Sequence, residues 1–219
     1  MSTTPTRRER REQMRRERTP RAPAPRGPAF RGPWIPIAVI AAVAAIVFAL
    51  YQMGVVAPGA AGYDIRSGKY DVAGQTIGTQ QPDDKNAHVN AGQKVEYGTN
   101  PPTSGSHWGT PAGPVAWGIK DTAFPDEAVV HNLEHGGIVI TYKGLTDQEL
   151  VKLKEVVRVL MNSGYPKIVL EPYPTLTDGR IAVTAWRWLL KLQGFDDVPI
   201  VKFVKAHYDG PDAPEPGVR

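Results

Sequence analysis

The sequence predicts an α+β protein: an N-terminal single transmembrane helix followed by one small mixed-sheet α/β sandwich domain with a long Pro-rich loop. Three observations carry this. First, no charged residue occurs between Arg31 and Asp64, and residues 34–53 are almost continuously apolar. Second, the chain from 137 onward reads as strand, helix, strand, strand, helix, an order that suits helices packed on a small sheet. Third, residues 98–127 carry Pro101, Pro102, Pro111, Pro114 and Pro125 with little periodicity between them.

The 219 residues carry a formal net charge of +4, but unevenly. Residues 1–31 hold ten Arg and three Glu, so this stretch is +7 and the remainder −3. Segment 1–33 is Arg- and Pro-rich with little to bury, and is expected to be a disordered basic cytoplasmic tail. Segment 34–53 follows as the transmembrane helix, since about 20 residues at 1.5 Å each cross a hydrocarbon core of roughly 30 Å. Trp34 and Tyr51 fall near its ends, where amphipathic rings favour the interface. A signal peptide would have a shorter apolar region, although 57–62 offers small residues that could be cut. Arginines before the span keep that end in the cytoplasm, which places the C-terminal domain outside it. The expected partners are the lipid bilayer through 34–53 and anionic lipid headgroups at the basic tail, at about 1 kcal/mol per basic residue near the surface. No nucleic acid is expected, because no folded part is basic. No protein partner is legible.

Residues 54–86 read as a linker rich in Gly, Ala, Gln and Asp, with short strands open at 63–65 or 69–72. The domain is placed at 87–210, with a loose Pro-rich tail at 211–219. Val95–Tyr97 suggests a short strand and 98–127 a loop. Ile138–Tyr142 is a β-branched strand after Gly136-Gly137. Thr146 and Glu149 form a capping box ahead of Leu150, Leu153, Val157 and Leu160, and Gly164 and Pro166 end that helix. Residues 168–170 and 181–186 are two further strands. Asp197 caps a last helix with Ile200, Phe203 and Val204 on its apolar face, stopped by Gly210.

With no cysteine, disulfides, thiolate nucleophiles and thiolate metal sites are excluded. The chemistry then rests on five histidines: 88, 107, 131, 135 and 207. His107 ends the loop Asn-Pro-Pro-Thr-Ser-Gly-Ser-His, which Pro101-Pro102 stiffens and where Gly105 permits positive φ. His131-Asn-Leu-Glu134-His135-Gly-Gly runs into the strand at 138. His-x-x-Glu-His matches an inverted zinc-protease pattern, but Gly136-Gly137 ends any helix there and Val129-Val130 reads more as strand. Residues 131 and 135 share a face in either conformation, whereas Glu134 joins them only in a helical turn.

The segments Asn100–Trp108 and Val129–Tyr142, taken together, resemble a bacterial family known as domain of unknown function 3105. The resemblance reaches from His88-Val89 through Tyr97 and Ala185-Trp186 to Ala213-Pro214-Glu215. It implies an N-terminal membrane anchor and marks His88, His107, His131, Glu134 and His135, but no activity. Three readings follow. The first is a metal site of Zn²⁺ or Cu²⁺ on His88, His107, His131 and His135, with Glu134 as ligand or orienter. On this reading nitrogens of His107, His131 and His135 lie within roughly 4 Å of a common point. The second is a non-enzymatic envelope module whose His/Glu network is structural: His107, His131 and His135 hydrogen-bond the backbone of the Pro-rich loop, Glu134 pairs a His or Arg180, and Trp108 and Trp117 are contact surface. The third is a hydrolase using Ser104 or Ser106, or a metal-activated water. The pattern favours a binding protein over an enzyme. Met161 and His207 are assigned no site role.

Overall fold

The computed structural model describes residues 7–16, 39–43, 45, 46, 49 and 62–218. The chain divides into two units, Met1–Ile46 and Val47–Arg219. In the first, α1 spans Arg7–Arg16 inside the stretch expected to be disordered. Its sequence, RRERREQMRR, holds only good helix formers and no Gly, Pro or β-branched residue. The predicted span at 34–53 lies largely outside the described residues, although 39–43, 45, 46 and 49 are helical. Among the described residues, no helix is long and apolar enough to cross a membrane.

The second unit is a mixed α/β domain. Its strands are β1 (Thr79–Gln80), β2 (His88–Val89), β3 (His107–Trp108), β4 (Gly118–Ile119), β5 (Ile138–Tyr142), β6 (Ile168–Pro172), β7 (Ile181–Ala185) and β8 (Trp188–Leu192). Its helices are α2 (Asp126–Glu134), α3 (Asp147–Asn162) and α4 (Asp197–His207). Six strands form one sheet in the order β1-β8-β7-β5-β6-β4, and β2 pairs with β3 apart from it. β5 and β6 run parallel, joined through α3, and β4 is parallel to β6. The pairs β5–β7, β7–β8 and β1–β8 are antiparallel.

Both faces of the sheet are covered, so the central strands are mostly apolar, with Thr141, Glu171 and Thr184 as buried polar exceptions. Ile138, Ile140, Ile168, Leu170, Ile181 and Val183 face Leu153, Val156, Val157 and Leu160 of α3 and Ile200, Val201, Phe203 and Val204 of α4. Val139 and Val169, on the other face, pack with Ala128, Val129, Val130 and Leu133 of α2 and with Trp186. The helix α2 thus replaces the strand suggested by Val129-Val130. Pro125 at its N-cap and Asp126 and Glu127 in its first turn favour a helix start, and apolar packing outweighs the weak β preference of two valines.

The helix α3 begins with the expected capping box, Thr146 Oγ1 accepting from the Glu149 N–H and Glu149 from the Thr146 N–H. In α4 the capping carboxylate is Asp196, which accepts from the Val198 N–H, rather than Asp197. Three further expectations differ. Val95–Tyr97 is not a strand, because the Val95 N–H is taken by Glu127 Oε1. The later part of the expected linker is folded onto the domain: Ile65 and Tyr70 are buried in the core, and β1 extends the sheet. The tail is likewise anchored. Ala213 is buried, and the Glu215 N–H donates to the Glu134 carbonyl at 3.0 Å.

Candidate metal centre

Two short elements and one helix end create the site. The parallel β2–β3 pair sets His88 opposite His107 in register, fixed by the His107 N–H on the Ala87 carbonyl at 3.0 Å. Residues directly opposite in register project to the same side of a sheet, so these two rings are neighbours. On α2, His131 and Glu134 are three positions apart and therefore share a face. The three imidazoles form a nearly equilateral triangle, with centroid separations of 4.9, 5.1 and 5.0 Å. Glu134 Oε2 caps that triangle, 2.9 Å from His107 Nε2, 3.4 Å from His88 Nε2 and 3.6 Å from His131 Nε2.

The outer ring nitrogens determine what the inner ones offer. His107 Nδ1–H donates to the Gly105 carbonyl at 2.9 Å, and His131 Nδ1–H to the Trp108 carbonyl at 2.8 Å. A carbonyl only accepts, so each Nδ1 carries a proton and each Nε2 is the nitrogen turned inward, where it either donates a proton to the carboxylate or offers its lone pair to a cation. The Glu134 carboxylate is also an acceptor. Acceptors converging at this range repel one another unless a proton or a cation lies among them. Metal bonds of about 2.0–2.2 Å in a tetrahedron place ligand atoms about 3.3–3.6 Å apart; the 3.4 and 3.6 Å separations match this, and the 2.9 Å one has the length of a hydrogen bond. One ligand atom from each of His88, His107, His131 and Glu134 lies within 4.8 Å of all the others, so the cluster could hold a metal ion.

Glycines supply the close approach. Gly105 takes φ +121°, which lets its carbonyl turn to His107. A Cβ on Gly113 would stand 2.9 Å from the Trp108 carbonyl oxygen and 3.1 Å from His131 Nδ1, directly against the bond that orients His131. Burial is uneven. The His107, His131 and Glu134 side chains are nearly inaccessible, whereas His88 is 54% exposed and forms the solvent side of the cluster.

Electrostatics keep the ligands in binding form. Burial pushes His131 below the usual histidine range, and the nearby rings of His107 and His135 add to this. Burial alone would raise Glu134; the charge of the adjacent His107 and the hydrogen bond from it outweigh this, and the carboxyl is held low. A neutral imidazole beside an ionised carboxylate is the protonation state that a metal requires.

The other sequence candidates go elsewhere. His135 is the C-cap of α2 and points to Glu215, with Nε2 3.4 Å from Oε2, so His88 rather than His135 completes the triangle with His107 and His131. His207 stacks on Trp188 at 4.3 Å and donates Nε2–H to the Ile77 carbonyl. Ser104 Oγ accepts from the Asp84 N–H and donates to the Pro82 carbonyl, and among the described residues no serine hydroxyl is hydrogen-bonded to a histidine. Arg180 pairs with Glu149, not Glu134. Met161 packs at the core edge. Trp108 donates its indole N–H to the Gln93 carbonyl, and Trp117 lies at the edge of the α2 core. The sequence reading missed Glu215 and Gly113. Glu215 stands next to a motif terminus and Gly113 between two prolines, but only the fold shows what each faces.

Set beside known families, residues 88–219 match the model of a family described as "Protein of unknown function (DUF3105)". Comparison with curated proteins and with solved structures finds no match.

Proposed function

The chain belongs to this family, whose model covers more than half of it, and from the geometry of the cluster we propose that the domain binds a transition metal ion through His88, His107, His131 and Glu134. The supporting observation is the pair of Nδ1–carbonyl bonds, which fix two buried imidazoles with their Nε2 atoms toward a buried carboxylate. Such outer hydrogen bonds are the usual companions of metal-bound histidine. Zn²⁺ fits better than Cu²⁺. A square-planar Cu²⁺ site would set one nitrogen about 4 Å from the carboxylate oxygen, across the metal. Glu134 Oε2 has all three within 3.6 Å.

Elemental analysis of the purified full chain after dialysis tests the reading. At least one zinc per chain is expected, and less than about 0.1, with no uptake on titration, overturns it. Normal metal content with earlier unfolding in His107→Ala and His131→Ala would favour a structural network instead.

The proposal extends to location. The uncharged run at 34–53, preceded by ten arginines, supports a single-pass anchor with its N-terminus cytoplasmic, its basic tail on anionic headgroups and its domain extracytoplasmic. The chain has no cysteine, so single introduced ones report topology cleanly. A membrane-impermeant maleimide applied to intact cells should label Asp121→Cys, whose native side chain is 91% exposed, and spare Ser2→Cys. The reverse pattern overturns the orientation.

A further inference from the structure

Glu134 belongs to two clusters. A second group, Glu134, His135 and Glu215, also has one ligand atom from each residue within 4.8 Å of the others. We propose that this group binds a second divalent metal ion and that the Glu134 carboxylate bridges the two. The proposal rests on the reading of the first cluster as a metal site and deepens it to a two-ion centre.

Several contacts place these ligands. His135 follows Glu134 directly, and its ring packs edge-on against His131 with centroids 4.6 Å apart. The two cluster centres are therefore neighbours across Glu134, and a carboxylate has two oxygens with which to serve both. His135 Nε2 lies 3.4 Å from Glu215 Oε2, again the ligand-to-ligand edge of a site with bonds near 2.1 Å. Glu215 is held in place by its own backbone, since its N–H donates to the Glu134 carbonyl. The segment around it is fastened as well. Lys167 Nζ binds Asp209, the His135 carbonyl and the Val218 carbonyl, and Asp209 Oδ1 accepts from the Gly217 N–H. One lysine thus ties the end of α2 to both flanks of Glu215.

The two sites differ in access. The first is closed on every side but that of His88. In the second, the His135 side chain is 14% exposed and Glu215 50%, so water can complete a shell begun by three protein ligands. Paired ions of this kind sit about 3.5–4 Å apart, a distance that one bridging carboxylate spans.

The test is zinc stoichiometry on the purified full chain, by elemental analysis after saturation with zinc chloride and removal of free metal. Wild type should hold two zinc ions, and Glu215→Gln and His135→Ala one each. Glu215→Gln keeps the backbone bond and the side-chain shape, so it separates loss of a ligand from loss of fold. Loading with Mn²⁺ gives an independent readout: wild type should show the electron paramagnetic resonance spectrum of an exchange-coupled pair, and Glu215→Gln that of an isolated ion. A wild-type chain with one zinc, unchanged in both variants, overturns the second site and leaves the first standing. Two zinc ions retained in both variants also overturn it. A wild-type chain with none overturns both readings.

Discussion

Two backbone carbonyls govern the histidines. The Gly105 and Trp108 oxygens hold protons on the outer nitrogens of His107 and His131, so neither ring can flip without losing a bond made in a buried place. Removing either imidazole should lower zinc affinity by at least about tenfold, as measured by competition with a chromophoric chelator. His207→Ala should leave that affinity unchanged, because its ring is engaged with Trp188 and Ile77. Gly113→Ala removes no ligand, yet its methyl group would press on the His131–Trp108 bond. It should therefore weaken zinc binding by about 10–100-fold, the range seen when outer partners of a metal ligand are disturbed. Zinc binding should also decline as pH falls, because protons compete with the metal for imidazole.

Secondary-structure elements differ in how far they depend on the site. The capping box of α3 lies far from the metal ligands, and Thr146→Ala should lower stability by about 1 kcal/mol with zinc binding intact, as read by urea denaturation. The strand β6 carries an unusual load. Burial pushes the Glu171 carboxyl up to about 7, although the Phe124 N–H bonds it at 2.9 Å. Its folded value exceeds its unfolded one of 4.5, so its contribution to stability is fully present below about pH 4.5 and is lost as pH rises through about 7. Glu171→Gln retains an acceptor for Phe124 and removes the charge. It should stabilise the domain at pH 8 by an amount on the order of 2 kcal/mol relative to its effect at pH 4.5, as measured by urea denaturation at both values. Elements with strong local signals were legible: the Thr146–Glu149 box fixed the start of α3, and the β-branched run at 138–142 fixed β5. The strand β8 was not, because its turn with β7 is made by Trp186 and Arg187, with Arg187 at φ +65°, and contains none of the usual turn residues. Two-residue strands such as β2 and β3 are too short for any alternation to show.

Across the whole molecule, the five histidines and Glu134 were conspicuous in a chain without cysteine, but their partition was not. Spacing alone set His131 beside His135, and only the helical conformation of α2, ending at Glu134, directs the first to His88 and His107 and the second to Glu215. A metal that binds only the folded chain stabilises it by about 2.7 kcal/mol at a hundredfold excess over its dissociation constant. The melting temperature should therefore rise with added zinc and fall with chelator in wild type, and respond less to both in a His107→Ala/His131→Ala double variant, which keeps the group of Glu134, His135 and Glu215. Time of synthesis adds a constraint. The helix α2 is seated against Val139 and Val169, which follow His131 and Glu134 in the chain. His131 and Glu134 therefore reach their places only after the chain has been made at least through β6. On the proposed reading an ion is then taken up by the folded domain, and the local supply in the compartment that domain occupies, rather than that at the ribosome, sets which metal it meets.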